Sequence, residues 1–177
     1  NKEISDYKKE IAALENKSIA LGEKIDCEEG NLEIEGGHIL NDHHPYGLLN
    51  LAEIIKVSSN IGAYKVGKRV GRKNLWETLH AFGFGFKTGI DFPGEASGLV
   101  KPLDKMRSID VGTISFGQGI GVTPLQILSA FGAIANEGKR MQPYLVEKVV
   151  GKSGEVLYQA SPSILGQPIS TETAGLL

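Results

Sequence analysis

The chain has 177 residues, 41% of them hydrophobic and spread along its length, with a formal charge of -2; this excludes wholesale disorder and is enough chain for one ordinary core. No basic block tracks a nucleic-acid backbone, and no apolar run reaches the ~20 residues of a membrane span. The single cysteine, Cys27, excludes an intrachain disulfide framework and a multi-cysteine metal site. The opening Asn1-Lys2-Glu3-Ile4-Ser5-Asp6 lacks the apolar centre of a secretory signal.

In chain order, Ile4, Tyr7, Ile11, Leu14, Ile19 and Leu21 recur at roughly three-and-four spacing among Lys and Glu. That pattern predicts an amphipathic helix over residues 3–21, with Gly22 as its stop. Residues 23–27 lead to a turn at Glu28-Glu29-Gly30. A short hairpin follows, residues 31–34 and 38–40 alternating across Glu35-Gly36-Gly37. Asn41-Asp42-His43-His44-Pro45-Tyr46-Gly47 is the densest polar cluster. Adjacent histidines on a loop do not readily face one ion and no further ligands stand out, so the expectation is a hydrogen-bonded loop and no metal or cofactor.

Asn50 with Glu53 three residues on forms a capping box, which predicts a helix through residues 51–56. That helix delivers Ser58-Ser59-Asn60, two hydroxyls and a carboxamide ahead of Ile61-Gly62. From the residues alone the tripeptide reads two ways: as turn and N-cap chemistry, since such side chains bond nearby N–H groups, or as a reactive site. A second helix starts at or near Ser59-Asn60, carries Ile61, Tyr64, Val66 and Val70, and ends around Gly71. Residues 72–82 form a third, with Leu75, Trp76, Leu79 and Phe82 as a core face.

Phe82-Gly83-Phe84-Gly85-Phe86-Lys87-Thr88-Gly89 is Gly-rich but lacks Walker spacing, so no phosphate loop is expected. Asp91-Phe92-Pro93-Gly94-Glu95 is a turn, and residues 96–110 read as a long irregular connection. Thr123 caps and Pro124 opens a strong helix. Its Leu125, Ile127, Leu128, Phe131, Ile134 and Ala135 make it apolar almost all round, which predicts burial. Residues 144–150 and 155–158 flank Gly151-Lys152-Ser153-Gly154 as a hairpin, residues 160–169 read as a Pro/Ser loop, and Ser170 starts a last helix.

Four stretches occur together and in order: Asp42-His43-His44-Pro45-Tyr46-Gly47; Ser58-Ser59-Asn60-Ile61-Gly62; Phe82-Gly83-Phe84-Gly85 with Thr88-Gly89-Ile90-Asp91-Phe92-Pro93-Gly94-Glu95; and Ser115-Phe116-Gly117-Gln118-Gly119 with Thr123-Pro124-Leu125-Gln126. They resemble the transpeptidase domain of class B penicillin-binding proteins, the peptidoglycan cross-linking enzymes of bacterial division and elongation. The likeness covers about residues 11–177. It implies an α+β chain, mainly the helical part of the penicillin-binding transpeptidase (serine β-lactamase-like) fold with short hairpins. Residues 11–177 would be a partial transpeptidase domain, and residues 1–10 a foreign, replaced or incomplete N-terminal segment.

The resemblance further implies a serine D,D-transpeptidase that acts on the D-alanyl-D-alanine end of stem peptides through an acyl-serine and reacts with β-lactams. Its parent would work at the extracytoplasmic, periplasmic face of the membrane, anchored by an N-terminal helix. The implied partners are the stem peptide, β-lactam antibiotics and cell-wall synthesis or division proteins, with no nucleic acid. Such enzymes use a nucleophilic Ser with a Lys three residues later, a Ser-x-Asn triplet and a Lys-Thr/Ser-Gly strand. On this match Ser58 and Asn60 are the triplet. Ser58 relays a proton near the Lys and the leaving nitrogen, Asn60 hydrogen-bonds the amide of the bound peptide or β-lactam, and Ser59 carries no assigned role.

Ser5-Asp6-Tyr7-Lys8 spells the first motif, with Ser5 as nucleophile and Lys8 as its partner. Lys8-Lys9-Glu10 follows where the family has an apolar helix, so a solvated charged helix is the competing reading. Lys87-Thr88-Gly89 spells the third motif but stands where the family has a surface loop, and it reads as a coincidence. The corresponding strand is expected beyond Leu177, and the chain alone is expected to be inactive. A rival reading is a non-catalytic binding or scaffold module of the same fold that engages cell-wall or division partners. A β-lactamase or β-lactam sensor would share the chemistry but needs a deacylating base, for which no Glu stands out.

Overall fold

The computed structural model describes residues 13–20 and 22–177. They fall into two units, Asn1–Leu79 with Val100–Ile120, and His80–Leu99 with Gly121–Leu177.

In the first unit, residues 13–15 end a helical turn, closed by Lys17 N–H to Leu14 O and Ser18 N–H to Ala13 O with Lys17 at a φ of 51°. This left-handed cap stops the helix well short of Leu21 and Gly22, where the periodicity had placed its end. Residues 3–12 of that expected helix lie outside the described residues. The strands are β1 (Ile25–Asp26), β2 (Asn31–Ile34), β3 (His38–Asn41) and β4 (Leu48–Leu49). β2 and β3 form the expected hairpin, Asn31 opposite Asn41 and Ile34 opposite His38. The pairing of β1 with β4 was not foreseen, because two-residue strands carry no readable alternation.

Helix α1 (Leu51–Val57) begins with the expected box, Glu53 N–H donating to Asn50 Oδ1 at 2.9 Å and Asn50 N–H to Glu53 Oε2 at 2.8 Å. Helix α2 (Asn60–Val70) buries Ile61, Ala63, Tyr64, Val66 and Val70 and ends at Gly71. Helix α3 (Arg72–Ala81) buries Leu75 and Leu79, with Trp76 half-buried and its ring N–H donating to Lys101 O at 3.2 Å.

Helix α4 (Ser108–Ser115) overturns the reading of residues 96–110 as irregular throughout. Ile109, Val111, Gly112, Thr113 and Ile114 are poor helix formers, so local propensity hides it. Its stability comes from packing on α2: a Cβ on Gly67 would stand 1.7 Å from Ser115 Oγ, and one on Gly112 2.0 Å from the Tyr64 ring. Only glycine permits so close an approach of the two helices. Asp110 supports the first turn, accepting from Arg107 N–H at 2.8 Å and from Lys101 Nζ at 2.7 Å. The Lys101 ammonium first, and then the Arg107 N–H, hold its carboxyl down at about 2.

In the second unit, α5 (Pro124–Ala135) carries the expected Thr123 cap, which accepts from Gln126 N–H at 3.1 Å. The all-round burial expected of α5 is not observed: Ala130 and Ala133 are buried, but Leu128 is 68% exposed and Phe131 also faces out. The helix packs on β5 (Arg140–Met141) and α6 (Thr171–Leu176), which cover one side of it.

β6 (Lys148–Val150) and β7 (Val156–Gln159) form the expected hairpin with a shorter first strand. Leu145 and Val146 donate their N–H groups to the Asp91 carboxylate, at 2.6 and 2.9 Å, instead of joining the ladder. The expected loop over residues 160–169 contains β8 (Ile164–Gly166), paired antiparallel with β5. Among the described residues no helix is long and apolar enough to cross a membrane.

Candidate functional site

The corner between α1 and α2 gathers the residues that the chain offers for chemistry. Ser58 ends α1 in the left-handed region, φ 53° and ψ 46°, with its N–H shared between Ile54 O and Ile55 O. Ser59 then returns to extended backbone and caps α2, its Oγ accepting from Gly62 N–H at 2.9 Å. The turn-and-cap reading of the tripeptide is therefore correct for Ser59. It leaves Ser58 and Asn60 on either side of a buried hydroxyl, both half-buried.

Asp42 clamps this corner from the loop after β3. Its Oδ2 accepts from Ser59 Oγ at 2.5 Å, and its Oδ1 accepts from Asn60 N–H at 2.5 Å and Ile61 N–H at 3.1 Å. A carboxylate on the first free N–H groups of a helix satisfies donors that the helix cannot, and meets the positive end of its dipole. Asn60 is oriented by the adjoining end of β3, Nδ2 donating to Asn41 O at 2.8 Å. Its carboxamide oxygen and second N–H, and the Ser58 hydroxyl, have no partner among the described residues. They remain available to a ligand.

The corner rests on a close-packed floor. A Cβ on Gly62 would lie 2.7 Å from Ile54 Cγ1 and 3.1 Å from Cys27 Sγ. Burial pushes the Cys27 thiol up, and its Sγ donates to Ile25 O at 3.7 Å, as a structural cysteine does. Among the described residues no group of three or more His, Cys, Asp or Glu is placed to hold a metal.

Of the other candidates, Ser5 and Lys8 lie outside the described residues. Lys87-Thr88-Gly89 sits in a loop of the second unit. Thr88 donates its N–H and its hydroxyl to Glu95 Oε1, each at 2.6 Å, and Gly89 N–H reaches Glu95 Oε2 at 3.1 Å. Those bonds tie it to its own turn. Sequence reasoning missed the clamp by Asp42 and the part Ser59 plays in it, because the partners stand 17 to 19 positions apart with no periodic signal between them.

Ser58 invites a paired substitution. Its left-handed backbone costs about 1 kcal/mol that glycine would not incur. Ser58→Gly is expected to raise the unfolding midpoint and Ser58→Ala to leave it level or slightly lower, by thermal denaturation; both delete the hydroxyl, so activity and stability separate.

The frame of packed helices and short hairpins is an α+β fold shared with solved transpeptidase domains. It matches the D,D-transpeptidase domain of a peptidoglycan glycosyltransferase from Eggerthella lenta with a TM-score of 0.86 and 28% identity, covering 98% of this chain and 44% of that one. Penicillin-binding protein 3 of Mycobacterium tuberculosis, in its complex with ampicillin, matches with a TM-score of 0.85 and 27% identity, covering 97% of this chain and 38% of that one. The family model described as the penicillin binding protein transpeptidase domain matches residues 10–177, and the chain belongs to that family. Stage V sporulation protein D of Bacillus subtilis is 33% identical over 165 residues, which are 92% of this chain and 26% of that protein. The chain thus spans about a quarter of the length of the curated relatives it matches.

Proposed function

We propose that this chain is part of a peptidoglycan D,D-transpeptidase, residues 11–177 contributing part of its transpeptidase domain. The observation that carries the reading is the Asp42-clamped corner, within a chain of this family, that holds Ser59 and Asn60 and leaves the Ser58 hydroxyl and the Asn60 carboxamide oxygen unpartnered among the described residues. The Mycobacterium tuberculosis relative solved with ampicillin supports β-lactam reactivity. The Neisseria relatives described as probable peptidoglycan D,D-transpeptidases, 28% identical, support the substrate class.

In acyl transfer a serine oxygen bonds to the penultimate D-alanine carbonyl, and the bond to the terminal D-alanine breaks as its nitrogen takes a proton. A second amine then takes the acyl group. Ser58 passes the proton towards the leaving nitrogen, and Asn60 holds the peptide amide. Ser5 with Lys8 is the candidate nucleophile pair. The parent works outside the cytoplasmic membrane, anchored to it, among cell-wall synthesis or division proteins.

Intact mass of the native full-length protein after incubation with a reactive penicillin tests this. One adduct per chain is expected. Its loss in Ser5→Ala assigns the nucleophile to Ser5, and its retention places the nucleophile elsewhere. A folded protein that takes up no penicillin would overturn the enzyme reading in favour of a binding or scaffold module.

A further inference from the structure

The second unit holds a cleft of about 130 Å³, and its walls include Asp91, Gln142, Tyr144, Tyr158, Ser161 and Ser163. Nothing in the acyl-transfer reading uses it. Part of its wall is held in place by hydrogen bonds. Gln142 N–H donates to Ser163 O at 2.8 Å, and Gln142 Nε2 donates to Gly89 O at 3.0 Å. Asp91 holds Leu145 and Val146 by their N–H groups, and these same bonds keep its carboxyl below the usual carboxylate range.

The chemistry of the lining narrows the ligand. Tyr144 and Tyr158 are 42% and 47% exposed, each offering ring surface and a phenol. The hydroxyls of Ser161 and Ser163 have no partner among the described residues. No Lys, Arg or His contributes to the walls, so carboxylates and phosphates find no counter-charge. The single carboxylate is already occupied by two N–H donors, so a cation finds too few ligands. What remains is a small neutral molecule with an apolar face for the aromatic rings and hydroxyl or amide groups at its edge.

We propose that this cleft binds one neutral pyranose ring of a glycan, its C–H face against the tyrosines and its hydroxyls on the serines and Gln142. That the natural glycan is the strand that carries the stem peptides rests on the transpeptidase reading. The cleft would then hold the strand while its peptides are joined.

The test is a titration of the ¹⁵N-labelled chain with tetra-N-acetylchitotetraose, followed by amide chemical shifts. Shifts confined to residues 89–91, 142–146 and 158–163 are expected, with affinity lowered about tenfold in Tyr158→Ala and largely kept in Tyr158→Phe. Tyr144→Ala repeats the measurement from a different stretch of chain, should the first variant disturb the hairpin. No shift, or a response unchanged in both alanine variants, would overturn the proposal. Penicillin acylation of the unsubstituted full-length protein is read beside it. Sugar binding without acylation overturns only the enzyme reading, and acylation without sugar binding only this one.

Discussion

Replacing Asp42 by alanine is expected to destabilise the first unit by about 2–4 kcal/mol and to lower the acylation rate of the full-length protein by about two orders of magnitude. Three donors lose their acceptor at once: the Ser59 hydroxyl and the N–H groups of Asn60 and Ile61. Ser59 is only 1% exposed, so water does not replace the carboxylate without opening the corner. Asn60 has its carboxamide tethered to Asn41, the strand end next to Asp42, so a shift there moves the group that is to hold the peptide. Asp42→Asn keeps an acceptor for the two N–H groups but sets an NH2 opposite the Ser59 hydroxyl, which loses its acceptor. It should therefore fall between the alanine variant and the unsubstituted protein, losing that bond and the helix-end charge interaction, about 1–2 kcal/mol. Urea unfolding and the second-order rate constant for a fluorescent penicillin measure both effects. If Asp42→Ala left the rate unchanged while Ser58→Ala abolished it, the clamp would be structural and the orientation of Asn60 irrelevant to the chemistry.

The parts of this site that follow local rules were legible from the residues, and the parts that depend on distant partners were not. Asn50 with Glu53 and Thr123-Pro124 ahead of α5 are caps whose donors and acceptors lie within three positions, and each stands where its pattern placed it. Asp42 was legible only as part of a hydrogen-bonded loop, without its partners, because its three donors lie on another element. Helix α4 escaped notice for the same reason, since Gly67 and Ser115 make it stable by meeting across the fold. Ser58 and Asn60 drew attention as a motif, but periodicity could not tell which hydroxyl of Ser58-Ser59 was the cap. The structure separates them by burial and bonding: Ser59 is enclosed and bonded, and Ser58 is half-open and unpartnered among the described residues.

Helix α5 carries the other large expected effect, at a residue that its apolar pattern makes easy to overlook. Gln126 is 1% exposed and both polar atoms of its side chain are engaged: Oε1 accepts from Thr123 N–H at 2.9 Å, and Nε2 donates to Phe86 O at 2.7 Å and Ser97 O at 2.8 Å. It joins the helix start to two points of the irregular stretch 82–98 in the second unit. Gln126→Leu, which any hydropathy argument would favour, takes the side-chain partner from one N–H and two carbonyls at once, at roughly 1 kcal/mol each where water reaches them and up to about 3 where it does not. The expected loss is about 3–5 kcal/mol, a large share of the 5–15 kcal/mol that ordinary domains possess. Gln126→Glu separates shape from bonding. A carboxylate there faces the Phe86 and Ser97 carbonyl oxygens, so its folded pKa lies above the unfolded value of about 4.3. Below that value the acid is protonated in both states and its O–H serves one carbonyl; as pH rises through it, the unfolded state ionises first and stability falls until the folded pKa is passed. The variant should therefore stand nearer the unsubstituted protein at about pH 4 than at pH 7 when denaturation midpoints are compared at each pH. A Gln126→Glu deficit that is the same at both pH values would mean that the carbonyls have moved away or admitted water, and that the clamp is weaker than its bond lengths indicate.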